Sequence, residues 1–179
     1  MLQESEGAGA VAAFAIGQRI FVMGAMLSQQ LAMLSVPRLV SCRVSAEYKI
    51  FRDVAKKSFV VVLGCGALMS AISAVVATIL VFYNSDYRDF RMALYFMSAA
   101  ALFAAVNAWI VSIQQSLGNL RSWSFIEVSS ALLLLASGTL LIWFAGVVGL
   151  ALAFAGTHML RATVAGLVVR SSIRTDLVS

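Results

Sequence analysis

Residues 58–83 read SFVVVLGCGALMSAISAVVATILVFY, with no Asp, Glu, Lys, Arg or His among them. As an α-helix this stretch rises about 39 Å at ~1.5 Å per residue, more than the ~30 Å hydrocarbon core of a bilayer. A soluble fold would have to enclose such a helix on all sides, and the rest of the chain cannot supply the polar surface to do so. Of its 179 residues 61% are hydrophobic and only 12% charged, and mean hydropathy is +0.94. Soluble domains carry roughly 45–50% apolar and about 25% charged residues. The solvent for this chain is therefore a lipid bilayer. Lipid offers no partner to backbone N–H and C=O, so the spans must be helices or a closed barrel. The ~10-residue apolar/polar alternation of a barrel is absent, which makes the expected fold all-α.

Four more stretches outward from this one are long and apolar enough to cross: 8–36, 92–113, 123–145 and 147–169. The expectation is a single transmembrane domain over 1–179, an integral membrane bundle of about five helices. Pro37 is read as closing the first span, because its ring and missing N–H cannot continue a helix. A charged segment, 38–57, follows. In it Val44, Tyr48, Phe51, Ala55 and Phe59 fall at helical spacing among Lys and Arg. That pattern predicts an amphipathic helix on the inner membrane face, held by anionic lipids. Short polar turns follow at NSDYRDFR (84–91) and at Gly118–Arg121, and around Gly146 the chain barely leaves the membrane. Small residues at four-residue spacing, Gly9, Ala13 and Gly17, then Gly66, Ser70 and Ala74, predict close helix contacts.

The positive charges orient the bundle. Arg38, Arg43, Lys49, Arg52, Lys56, Lys57, Arg121, Arg170 and Arg174 share one side if the five spans alternate, whereas Arg88 and Arg91 lie on the other. By the positive-inside rule the 38–57 loop and the C-terminus are expected in the cytoplasm and the short acidic N-terminus outside. An outside start without a basic lead suggests that the chain is the C-terminal part of something longer. The net charge of +5 is thus a topology signal, and no nucleic-acid partner is expected. Cys42 and Cys65 form neither a disulfide framework nor a zinc motif.

Catalytic spacing is missing. There is one histidine, no Cys-x-x-Cys, no His-Glu-x-x-His and no phosphate-binding glycine loop, so no catalytic residue, metal or cofactor is expected and the chain is read as not an enzyme. The ionisable residues inside spans are more informative, because a charge at bilayer centre costs at least ~2.5–3.5 kcal/mol. Arg19, preceded by Gln18, lies near the middle of the first span. It suits either a watery cavity for an anionic group or a carboxylate on another helix. His158 and Arg161, three apart, share a face and suit a polar stripe, or alternatively a snorkelling arginine with a histidine bonded to a neighbouring helix. Asn107, Gln114 and Gln115 give another stripe, for substrate or for helix pairing. Glu127, the one acid inside a span, is the candidate for ion coupling, with Arg121 or a cavity arginine as its partner.

Several of these stretches together resemble a known family. EGAGAVAAFAIGQRI (6–20) followed by LSVPRLVS (34–41), GVVGLALAFAGTHMLRA (146–162) and the turn in QQSLGNLRSW (114–123) are similar to elements of polysaccharide and O-antigen (oligosaccharide-lipid) flippases. These belong to the multidrug/oligosaccharidyl-lipid/polysaccharide exporter superfamily. Pro37, Arg38, Gly146 and Gly149 match pattern positions, while Val11 or Ala12 stands where the family has a tyrosine. The resemblance implies the last five helices of a two-lobed transporter of twelve or more helices, with an N-terminal helical lobe as partner. It also implies a bacterial inner-membrane location and alternating access for lipid-linked oligosaccharides such as undecaprenyl-diphosphate oligosaccharides, with cations meeting the diphosphate. Two other readings stand beside it: a small non-catalytic scaffold of a polysaccharide-assembly complex, and a drug/cation antiporter of the same superfamily.

Overall fold

A computed structural model describes residues 7–83 and 87–176. The acidic lead 1–6 and the Asn84-Ser85-Asp86 tip lie outside the described residues, as does the side chain of Arg174. Among the described residues there is no strand. The elements are α1 (Ala8–Met33), α2 (Val36–Val44), α3 (Tyr48–Tyr83), α4 (Arg91–Ser116) and α5 (Leu120–Asp176). Four stretches are helical, long and apolar enough to cross a membrane: Gly9–Val44, Tyr48–Tyr83, Arg91–Ser116 and Trp123–Arg170.

The fourth doubles back on itself. At Ala145 (φ −140°, ψ 20°) and Gly146 (φ 55°, ψ −138°) the backbone leaves the helix, so α5 consists of two arms, 120–144 and 147–176. Contacts between the arms pair residues about equally far from that turn. A side chain at Gly138 would meet Leu150 at 3.2 Å, and one at Gly149 would strike the carbonyl oxygen of Leu141. The arms are therefore antiparallel, and the apolar stretches 123–145 and 147–169 form a helical hairpin.

α4 is the centre of the bundle, with 61% of its apolar window buried, against 17–28% for the other three. Alanines make this possible: Ala93, Ala100, Ala101, Ala104, Ala105 and Ala108 are all buried and let neighbours approach closely, which drives association where lipid removes the hydrophobic incentive. α1 runs parallel to α4: a Cβ at Gly9 would sit 3.6 Å from Phe90, one at Gly17 3.2 Å from Met97, and one at Gly24 3.7 Å from Ala101. α3 runs antiparallel on another side, from the Trp109–Ala55 hydrogen bond at one end to the Thr78–Tyr95 bond at the other. The buried residues in the spanning part of α3 include Val62, Gly66, Ser73 and Ala77, so Gly66 acts as expected, while Ser70 and Ala74 beside them are half-buried.

The bundle has two recognisable ends. Leu39, Cys42, Phe51, Ala55, Ile110, Ile113, Leu117, Ile126, Ala165 and Val169 pack together at one, and the opposite end is closed by Ala10, Ala93, Met97, Val147 and Ala151. The first end is basic: Arg38, Lys49, Arg52, Lys56, Lys57, Arg121 and Arg170 are exposed there, and Arg43 reaches the Ser116 carbonyl at 3.3 Å.

Two expectations are corrected at this end. α1 stops at Met33 before Pro37, which instead opens the short helix α2, as suits a residue without an N–H to offer. The segment 38–57 is not a separate surface helix: from Tyr48 onward it is the first part of α3. Phe51 and Ala55 are buried in protein, and Phe59 meets the Trp109 ring at 4.9 Å. Its apolar side faces the bundle because α4 and α5 present a cluster there that lipid would otherwise have to cover.

Candidate functional site

α1, α4 and the two arms of α5 enclose a cleft of about 390 Å³, lined by polar groups on each of these elements. α4 contributes Asn107, Val111 and Gln115, α1 contributes Phe21, Ala25 and Gln29, and α5 contributes Trp123, Glu127, His158 and Arg161. Its inner limit is aromatic. Phe21 of α1 meets Phe154 edge-on at 4.7 Å between centroids and the His158 ring at 5.0 Å. From that contact the cleft extends toward the basic end, where Gln115 and Trp123 lie.

Helical periodicity places these groups. Asn107, Val111 and Gln115 are successive four-residue steps along one face of α4, and His158 and Arg161 share a face of α5. Asn107 donates from Nδ2 to the His158 carbonyl at 3.2 Å, which fixes the second arm of α5 against α4, while its Oδ1 is buried with no partner among the described residues. Arg161 donates to the Glu127 carboxylate across the hairpin, and its guanidinium carbon sits 4.6 Å above the Trp123 ring. Arg161 Nε and His158 Nδ1 are buried and, among the described residues, have no hydrogen-bond partner. The cleft is thus walled by amide, imidazole and guanidinium side chains, while these three unpartnered atoms are themselves closed off from its space.

Of the residues singled out in the sequence, Asn107, Glu127, His158 and Arg161 converge here. Glu127 is held by Arg161 rather than by Arg121. Gln18 and Arg19 do not line the cleft: both are exposed on α1. Gln114 is fully buried beside it, its amide without a partner among the described residues, and its neighbour Gln115 takes the lining position. Gln29, Trp123 and Phe21 were not expected at the site. Gln29 had a signal: three helical turns separate it from Gln18, which puts the two on one flank of α1.

Arg161 also borders a second, apolar crevice of about 150 Å³ between the two arms, with Phe125, Ser129, Leu133 and Leu160 in its walls. Among the described residues no group of three or more His, Cys, Asp or Glu is placed to hold a metal ion. No family model, curated protein or solved structure shows significant similarity to this chain.

Proposed function

We propose that this chain is part of a membrane transporter that moves a lipid-linked oligosaccharide or polysaccharide precursor across the bacterial inner membrane by alternating access. The basic end would face the cytoplasm, following the positive-inside rule. The observation that carries this reading is the polar cleft in an otherwise apolar bundle. Polar groups at membrane depth are expensive and mark substrate or ion paths, and the cleft's volume falls within the ~300–1,000 Å³ of small-ligand sites. Its amide, imidazole and guanidinium lining, from Gln29, Asn107, Gln115, His158 and Arg161, suits a hydroxyl-rich or anionic head group. The aromatic contact of Phe21 with Phe154 and His158 would be the closed side of the path.

A membrane scaffold without transport activity is the second reading, favoured by the exposed polar flank of α1 that carries Arg19. The antiporter reading would use Glu127 as its coupling acid, and the ion pair with Arg161 engages that carboxylate.

The test is binding by the full chain in lipid nanodiscs of a short-chain polyprenyl-diphosphate disaccharide, with the matching polyprenol as control. Saturable binding of the diphosphate sugar, weakened about tenfold by Gln115→Leu and by His158→Leu but not by Gly64→Ala outside the cleft, is the expected result. Equal retention of sugar-lipid and polyprenol would remove the basis of the transport reading.

A further inference from the structure

The cleft leaves one intramembrane charge unexplained. Arg19 is exposed on α1 and, among the described residues, has no hydrogen-bond or ion-pair partner. It lies about 16 Å of helix rise from Ala8 and about 21 Å from Met33 at ~1.5 Å per residue, farther from either end than an arginine side chain reaches. Snorkelling to head groups is therefore closed to it.

Its surroundings are patterned. With ~100° per residue, the buried residues Ala10, Gly17, Phe21, Ser28 and Ala32 define the face of α1 turned to the bundle. Gln18, Arg19, Gln29 and Gln30, every strongly polar residue of the helix, fall within a sector of roughly 120° on one flank of that face. Exposed Val11, Val22 and Met26 lie in the same sector, and next to it Met23, Ile16, Leu27 and Ile20 complete an apolar surface fit for lipid. Arg19 and Gln30 stand nearly opposite the bundle face, so α1 turns its one charge away from the described bundle.

We infer that the Gln18–Arg19–Gln30 flank of α1 is the docking surface for a further transmembrane helix that carries an aspartate or glutamate level with Arg19. Charge complementarity sets the partner's chemistry. A bare guanidinium at this depth costs at least ~2.5–3.5 kcal/mol, and a carboxylate both neutralises it and accepts its forked hydrogen bonds. The glutamines at either side would bond the partner's polar groups. A second copy of this chain does not fit, because Glu127 is already bound by Arg161 and Asp53, the other acid in a membrane-crossing helix, lies near the basic end of α3. This inference stands whether or not the cleft carries a sugar-lipid.

The experiment places the full chain, fluorescently labelled, in phosphatidylcholine vesicles with synthetic leucine-alanine helices that bear Glu, Gln or Leu at mid-length. Energy transfer reports association. The expected result is that the Glu helix binds roughly three- to thirtyfold more tightly than the Leu helix, the range measured for polar pairs between membrane helices. Arg19→Leu abolishes that preference and Arg19→Lys retains most of it. Benzoylphenylalanine replacing Met26, beside Arg19 on the helix surface, crosslinks the Glu helix, whereas at the exposed Leu27, about 100° further round the helix, it does not. Unchanged circular dichroism of the Arg19→Leu chain guards against misfolding as the cause. Equal binding of Glu and Leu helices, a Glu preference that survives Arg19→Leu, or crosslinks from Met26 that join two copies of this chain instead would each overturn the proposal.

Discussion

Glu127 and Arg161, 34 residues apart in sequence, join the two arms of α5 through an ion pair. The pair ties the hairpin where its arms reach the polar cleft, and Trp123, one turn before Glu127 on the same arm, lies against the guanidinium. Glu127 is 48% uncovered by protein, so the pair is only partly enclosed, and its strength is that of a membrane polar contact rather than of a fully buried salt bridge.

A double-mutant cycle measures it. Arg161→Leu and Glu127→Leu are each expected to cost about 1–2 kcal/mol of unfolding free energy in bicelles. The double variant should cost less than the two together by about 0.6–1.7 kcal/mol, the range of such coupling in membrane helices. Additive losses would mean that the two side chains do not communicate.

Much of the fold was legible because lipid leaves few choices. An uncharged run such as 58–83 reads as a helix long and apolar enough to span, and the missing loop around Gly146 announced a tight reversal. Position along each helix was legible as well, but azimuth was not. From its position along α1 Arg19 suited either a cavity or a carboxylate on another helix, and only packing against α4 reveals that Phe21 faces inward while Arg19 faces out. The Glu127–Arg161 pair had a usable signal, since the two lie at nearly equal distances on either side of the Ala145–Gly146 turn. The fate of segment 38–57 could not be read, because an amphipathic face fits lipid and protein equally until the cluster around Ile113 is known.

At Gly66 α3 and α4 pack closely: a Cβ there would collide with the Cβ of Ala105. Gly64, two residues away, has nothing within 4 Å of its Cβ position. Gly66→Ala should therefore lose about 1–3 kcal/mol through overpacking. Gly64→Ala should be neutral or gain up to about 1 kcal/mol from helix propensity. Thermal unfolding of both variants in detergent gives the comparison, and equal behaviour would refute the tight α3–α4 contact.

Trp109 links the basic end of α3 to α4. Its Nε1 donates to the Ala55 carbonyl at 3.0 Å and to Ser58 Oγ at 3.2 Å. Trp109→Phe keeps an aromatic ring against Phe59 and removes the donor, for an expected loss of about 1 kcal/mol. Ser58 already donates to the same carbonyl at 2.9 Å, which keeps the loss near the lower end. Trp109→Ala removes the ring as well and should cost about 3–5 kcal/mol. Near-ultraviolet circular dichroism during unfolding separates the two effects.

Gly146 decides whether α5 is a hairpin or a rod. Its φ of 55° with ψ −138° mirrors an extended conformation and is open essentially to glycine alone. A side chain there must strain the backbone by about 1–3 kcal/mol or push the turn toward helix. A straightened Trp123–Arg170 segment would be about 70 Å long at ~1.5 Å per residue, more than twice the hydrocarbon core, so the membrane itself opposes straightening. Gly149 adds a second demand, because a Cβ there would strike the carbonyl of Leu141 on the first arm. Gly146→Val is therefore expected to retain two spanning arms but to loosen their packing. A spin-label pair replacing Leu140 and Leu152, both exposed, should show a broadened distance distribution, while Gly156→Ala, with open space at its Cβ, leaves it narrow. An unchanged distribution in Gly146→Val would mean that the turn tolerates a branched side chain and does not depend on glycine.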